Sequence, residues 1–466
     1  MKIGLVGGSN QERSFSLDAE RTINLYPVQS QNGKEPTALY GTDGLKLFST
    51  AGSDAIKKIF ASANGRVFAV SGDNLYEIFS NGTSSILGAI TSSTGLVSMD
   101  ENNFQLAVCD GTSVYIFIYS SNIFQKVTDV DLPISSGISF IDGYFVVTKK
   151  DSGSFYISSP YDGLTWSALD FATAESSPDN LLRAINAIGQ LWLFGNKTTE
   201  IWTNNGASAF PFSRISGGKI EVGILAPMSA IPMDNSIFWV GRDYLGSGIV
   251  YRANGFSPQR ISTNSIELLI SQATSPETII AYSYQREGHV FYILTGGGLP
   301  TTLVYDVSTG LWHERAFLNA FGAYEQHLGS TGCYGFNKQL VGSRNNGKIY
   351  EMSPNYYDDD GQALCSERIY THISNENQRL KFSQLEIAME SGTGLQSGQG
   401  VDPQISLFIS RDGGRTWSNE YITSFGSAGS YLSRAVFRRL GQAFDWTFKI
   451  RITDPVKRVL IGSYLK

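Results

Sequence analysis

The sequence predicts an all-β fold: a β-propeller of about seven blades, six if one repeat anchor is miscounted, with a second, small β-sandwich-like domain. Three observations predict it. Of 466 residues, 41% are hydrophobic, with 49 glycines, 23 tyrosines and 27 phenylalanines against 17% charged, a balance that favours short strands and tight turns over helices. A hairpin-like unit recurs at a spacing of about 40–50 residues, the length of a four-stranded blade. Within each unit the apolar positions alternate or run continuously over about six residues, instead of returning every 3.6.

Taken in order, residues 1–50 match neither the repeat nor a linker, so they are expected to join the second domain or to close the propeller. From residue 51 the repeat begins. Its anchors are Phe68 in RVFAVSGDNLYEI, Leu106 in FQLAVCDGTSVYIF, Phe145, Trp192, Phe238, Phe291 and Leu340. Successive intervals are 38, 39, 47, 46, 53 and 49 residues. Runs such as LWLF at 191–194 and IFWV at 237–240 fit sheets buried on both faces, as radially packed blades are. Helices should be few and short. The rhythm stops after Met352, and the turn-rich, acidic SPNYYDDDGQ marks the boundary between a propeller at 51–356 and a C-terminal β domain at 357–466. There SGTGLQSGQGVDPQ (391–404) reads as an exposed loop, whereas Phe448, Ile450 and Ile452 alternate with Lys449 and Arg451 as a half-buried strand does.

Charge and cysteine content narrow the function classes. A net charge of −6 argues against a protein that grips nucleic acid through its phosphates, which takes a net-basic face, but is compatible with DNA sliding past. Three cysteines, Cys109, Cys333 and Cys365, make neither a disulfide framework nor a CxxC pair and read as buried thiols of a reducing compartment. Nothing approaches the roughly 20 consecutive apolar residues of a membrane span, and the start carries too short an apolar run for a secretory signal. A soluble chain without membrane insertion is expected.

The motifs point to scaffold. SRDGGRTW, with Ser410, Asp412, Gly414 and Trp417, fits an Asp-box, a turn whose serine and aspartate bond the backbone over a packed tryptophan; SPYDGLTW, with Asp162 and Trp166, is a looser copy. YDVSTGLWHE (305–314) resembles a kelch turn. Asp-boxes also occur in sialidase propellers, so a carbohydrate-binding or glycosidase-like propeller in a receptor-binding tail protein is the alternative function. Such a site needs converging arginines, and Arg183, Arg242, Arg252 and Arg286 show no recognisable arrangement. His313 and Glu314 begin an HExxH-like string that fails at Phe317. GLVGGSNQ (4–11) lacks both GxGxxG and GK[ST] and reads as a turn or a flexible start. Asp358, Asp359 and Asp360 lack calcium-loop spacing and read as a solvated turn. No catalytic, cofactor or metal site is expected. Between Arg434 and Lys466, eight lysines and arginines face Asp445 and Asp454 alone. On alternating strands Arg434, Arg438, Arg439, Lys449, Arg451, Lys457 and Arg458 would form one basic face for an acidic partner or DNA.

The block LDAERTINLYPVQS (17–30), then LYGTDGLKLFST (39–50) and RVFAVSGDNLYEI, resembles the opening of the phage stabilisation family, the packaged-DNA stabilisation and tail hub (nozzle) proteins of short-tailed phages. Asn24, Leu25, Tyr26 and Pro27 carry most of that resemblance, and the strand-rich end FKIRITDPVKRVLIGSYLK extends it. The resemblance implies a non-enzymatic structural protein of the virion tail, made in the host cytoplasm and assembled as a homo-oligomeric ring of six copies below the portal and head-to-tail adaptor proteins. Tail needle, spike or fibre proteins are its implied further partners. The ring would help retain packaged DNA and let it pass through the lumen during ejection without sequence-specific binding.

Overall fold

The computed structural model describes residues 1–466 apart from 31, 32, 34, 92–94, 175, 176 and 377. Among the described residues, seven four-stranded antiparallel blades surround an axis. Each blade starts with an inner strand: Ile56–Ala61, Ser98–Glu101, Ser135–Ile141, Leu181–Ala187, Ile231–Met233, Ile279–Arg286 and Gly329–Gly335. The ring closes where Gly329–Gly335 lies beside Ile56–Ala61. All seven anchors fall on the second strand of their blade and are at most 1% exposed.

The continuous apolar runs have the expected cause. In Gln190–Gly195, Leu191 and Leu193 enter the core shared with blade three, while Trp192 and Phe194 enter the core shared with blade five. In Ser236–Arg242, Ile237 and Trp239 face blade four, while Phe238 and Val240 face blade six. A blade therefore needs apolar residues at consecutive positions in the middle of its second strand, each full burial contributing about 1.5–3 kcal/mol. Blade five departs from the pattern. Pro227, which has no amide hydrogen to donate, interrupts its inner strand, leaving Gly223–Ile224 and Ile231–Met233 on either side of a 3-10 turn. The longest repeat interval is also explained, because the short helix Asn264–Ser271 lies between the anchors Phe238 and Phe291 and buries Ile266 and Ile270, one turn apart.

Residues 1–50 contribute to both domains. Gly44–Thr50 is the outermost strand of blade seven, paired with Lys348–Ser353. Leu25–Gln29, Thr37–Gly41 and Lys2–Ile3 instead join Val459–Leu465, Leu380–Met389 and Ala435–Ala443 in one sheet of the sandwich. The opposing sheet is built from Ser366–Ile369, Asp445–Ile452, Gln404–Ser410 and Tyr421–Ser424. Leu25, Leu385, Leu407, Trp446, Phe448 and Ile450 are in the core between them. The 391–404 segment is less free than an exposed loop: Leu395 packs on that core, and Ser391 and Gly400 are buried.

Candidate functional site at the domain junction

Arg21–Ile23 joins the two domains. It pairs in parallel with the last strand of blade six, Ile23 opposite Glu314, and antiparallel with Ser366–Ile369 of the sandwich. Blade six and one sandwich sheet thereby become a single hydrogen-bonded sheet of eleven strands among the described residues. Charges alternate across its strands. Arg21 grips Glu314 with both ends of its guanidinium (2.9 and 2.5 Å), and Arg451 binds Glu367 at 2.7 and 2.9 Å. Tyr324 donates a 3.1 Å hydrogen bond to the same Glu367 carboxylate. Burial alone would lower the affinity of Arg21 and Arg451 for their protons, but the adjacent carboxylates win and raise it.

Asn24 follows in a left-handed conformation (φ 53°), which asparagine tolerates better than most residues. Its amide nitrogen donates to Ala316 O (2.7 Å) in blade six and to Cys365 O (2.8 Å) in the sandwich, and its carbonyl oxygen Oδ1 accepts from Ala316 N (3.0 Å). The next two side chains diverge: Leu25 is in the sandwich core and Tyr26 in the core between blades six and seven.

Three buried arginines hold the surrounding segments. Arg368, 1% exposed, pairs with Glu20 and donates to Leu5 O (2.6 Å), Gly8 O (3.0 Å) and Thr22 Oγ1 (2.8 Å). The 4–11 segment is consequently a packed strap, not a flexible start. A Cβ at Gly7 would lie 2.0 Å from Glu20 Oε1, and one at Gly8 would lie 2.6 Å from Trp312 O. Arg315 donates to Asp43 O at 2.5 Å, and Asp43 also pairs with Arg286 at 2.9 Å. Arg458 donates to Ser366 Oγ, Tyr357 O and Asp454 O.

Asp359 lies in the field of Arg315 and Arg458, fully buried and with neither carboxylate oxygen hydrogen-bonded among the described residues. Burial pushes its pKa up to about 7, outweighing the two cations. The solvated-turn expectation fails here because Asp358–Asp359 adds to the edge of blade seven, Asp359 opposite Leu45. Its neighbours stay half-buried at the turn, Asp358 accepting from Gly361 N at 3.0 Å and Asp360 pairing with Lys348 at 2.6 Å. Among the described residues no group of three or more His, Cys, Asp or Glu side chains could hold a metal.

The seven C-terminal cations do not form one basic face. Arg434, Arg438 and Arg439 flank or occupy Ala435–Ala443 of one sheet, Lys449 and Arg451 lie on Asp445–Ile452 of the other, and Arg458 is 3% exposed. Most are also engaged: Arg434 with Glu386 (3.2 Å), Lys457 with Glu390 (2.9 Å), Arg451 with Glu367, and Lys449 over the rings of Phe408 and Trp417 (4.7 and 4.5 Å). Along Asp445–Ile452 the side chains alternate as expected, with Phe448, Ile450 and Ile452 buried and Lys449 and Arg451 half-buried, but the strand order that assigns two segments to opposite sheets is not a local property.

The two Asp-box-like turns lie in different domains. Ser410 Oγ accepts Gly414 N–H (2.8 Å) and donates to Asp412 (2.7 Å), whose carboxylate accepts from Arg415 N and from the amide and hydroxyl of Thr416, holding its pKa down to about 2. This turn is in the sandwich, and its Trp417 is half-buried under Lys449. In blade three, Asp162 accepts from Leu164 N and Thr165 Oγ1, and Trp166, 4% exposed, donates to Gly163 O.

The arginines considered for a glycosidase site are dispersed. Arg183 is on blade four, Arg242 and Arg252 are on blade five, and Arg286 is on blade six; Arg252 pairs with Asp234 and Arg286 with Asp43. His313 is fully buried beside Tyr26 and Phe291, and burial pushes its pKa down to about 3. Cys109 and Cys333 are likewise pushed up to about 12 by burial, so both stay thiols. Of the junction arginines, Arg451 and Arg458 are expected from the sequence on a basic face, and Arg21, Arg315 and Arg368 carry no motif in it. Their one local signal is a charge inside an apolar run, as Arg315 is in LWHERAFL.

No curated protein matches this sequence. Among solved structures, the chain is similar to the mitotic checkpoint complex (13% identity, 74% of this chain and 99% of that one, TM-score 0.43). It is also similar to the N-terminal domain of Nup159 (9%, 67% and 95%, TM-score 0.40) and to the extracellular domain of a hybrid two-component system of B. thetaiotaomicron (10%, 88% and 58%, TM-score 0.46). Two family models match end to end: bacteriophage P22 Gp10, β-propeller, over residues 1–357, and bacteriophage P22 Gp10, β-sandwich, over residues 366–466. With both domains matched in order across the whole chain, this protein belongs to the phage stabilisation family of P22 Gp10, the structural hub proteins of phage tails.

Proposed function

We propose that this chain is a non-enzymatic hub subunit, six copies of which close into a ring below the portal and its adaptor proteins. The ring extends their channel, helps retain packaged DNA and releases it through the lumen at ejection, while needle, spike or fibre proteins attach further down. The observation that carries the reading is the match of propeller and sandwich, in that order, to the P22 Gp10 family. A net charge of −6 supports it, since a predominantly acidic conduit does not hold a polyanion by counterion release. The welded junction supports it too, because a subunit under the pressure of packaged DNA gains from domains that cannot swivel. DNA would run between subunits and not along a propeller axis, whose internal cavity is about 30 Å³. Side-by-side heterologous contacts that close on themselves are the expected ring geometry. The chain is expected to be made in the host cytoplasm and to reside in the virion tail.

Cryo-electron microscopy of particles carrying this protein tests the reading. A six-copy ring on the tail axis, in contact with the adaptor, is the expected result. A peripheral fibre or spike position, or absence from the particle, would overturn it.

A further inference from the structure

The inner strands of the propeller bring an unbalanced set of charges to the axis. A cavity of about 30 Å³ is lined by Lys57 and Lys58 of blade one, Arg183 of blade four, Met228 at the entry to blade five, and Ser330 and Thr331 of blade seven. Lys58 and Arg183 are each half-buried against the cavity, and burial is the main force lowering the proton affinity of each. The Lys58 ammonium has no hydrogen bond or ion pair among the described residues. Among the described residues, Arg183 Nη1 finds the weak acceptor Met228 Sδ at 3.6 Å, and Arg183 Nε is buried without a hydrogen-bond partner.

The nearest carboxylate does not supply what is missing. Asp100 accepts from Phe140 N (2.7 Å), Ser139 Oγ (3.1 Å) and Glu101 N (2.9 Å), and forms no ion pair with either cation. Burial raises its own pKa, and its field supports the protons of both cations from a distance without pairing with either. Cys109 and Cys333, also close by, remain neutral thiols. Arginine cannot shed its charge, and a lysine held at about 8 is still mostly protonated at neutral pH. Two like charges lining one narrow cavity, one of them with a buried donor left unsatisfied, are costly unless an anion joins them.

The space determines which anion. One water needs roughly 10–15 Å³ of such volume, so about 30 Å³ admits a monatomic ion with at most one water and excludes a nucleotide or a peptide carboxylate. Thr331 adds a hydroxyl to the lining, and its Oγ1 accepts from Ile59 N at 3.4 Å. We propose that the propeller axis is a binding site for a halide-sized inorganic anion, chloride in solution, held between Lys58 and Arg183. The ion pins blades one and four across the axis and stabilises the closed ring of blades by mass action.

The experiment uses the full-length protein in sodium chloride against sodium gluconate at matched ionic strength. The thermal midpoint should rise with chloride by about 1–3 °C per tenfold increase above the dissociation constant, stay flat in gluconate, and lose its chloride dependence in Arg183→Met. A midpoint that follows ionic strength whatever the anion would overturn the proposal. If Arg183→Met does not fold, crystals of the unaltered protein grown in bromide decide the question. An anomalous peak between Lys58 and Arg183 supports the site, and its absence refutes it.

Discussion

The interfaces between blades and the junction between domains solve the same problem with opposite chemistry. Between blades four and five, Trp192, Phe194, Ile237 and Trp239 meet as an apolar layer, and that kind of layer recurs around the ring. At the junction, Arg21, Arg315, Arg368 and Arg458 sit among backbone carbonyls and carboxylates that leave them few alternatives. Apolar layers are tolerant of sliding, since dispersion and water release have no direction. Charged hydrogen bonds are directional and costly to break singly, so the junction fixes an angle where the blades merely fix a stack.

Arg368→Ala tests the contrast most severely. It leaves Glu20 buried without its cation and should cost about 3–5 kcal/mol in denaturant unfolding. It should also split the single cooperative transition expected of the parent into two in calorimetry. A variant that still melts as one unit would mean that the continuous sheet, not the arginine, couples the domains. Leu193→Ala, in the layer between blades three and four, should cost about 2–5 kcal/mol but leave the transition single.

Asp359 adds a pH signature. Its native pKa of about 7 lies above the unfolded value of 3.8, so between these values the native state keeps a proton that the unfolded chain has released. Stability therefore falls as pH rises from about 4 to 7, by on the order of a few kcal/mol, and is flat above. Asp359→Asn should abolish that decline. His313 works in the opposite sense: the unfolded imidazole takes up a proton below 6.5 that the buried one refuses until about 3, so its contribution is lost as pH drops through that window. At the bottom of the scale, Arg434→Ala removes an exposed pair with Glu386 and should change stability by less than about 1 kcal/mol. A larger loss would reveal a role for this residue beyond the surface pair.

What the sequence made legible follows the same division. Phe68, Leu106 and the other anchors announced the blades because burial on both strand faces is written in consecutive residues. The Ser410 and Asp162 turns were legible because their hydrogen bonds span only a few positions. Arg368 and Asp359 were not, since the partners that define them, Leu5, Gly8, Arg315 and Arg458, are distant in the chain. The basic face failed for that reason as well: Arg438 and Lys449 are eleven residues apart but on different sheets. Asn24 is the instructive middle case. The resemblance rested on it, yet only the bonds to Ala316 and Cys365 say why an asparagine stands there.

The pairing of Gly44–Thr50 with Lys348–Ser353 also bears on how the chain is made. During synthesis the strand emerges about 300 residues before its partner, a wait of roughly 15–60 s at about 5–20 residues per second. Lys2–Ile3 waits longer still, for Ser463 and Tyr464. Blades one to six can form as they leave the ribosome, but the last blade cannot be completed until Lys348–Ser353 emerges, nor the sandwich until Val459–Leu465 does. Closure is therefore a late event that a chain stopped short cannot perform, and the unpaired early strands are the part a nascent subunit must keep from other copies of itself.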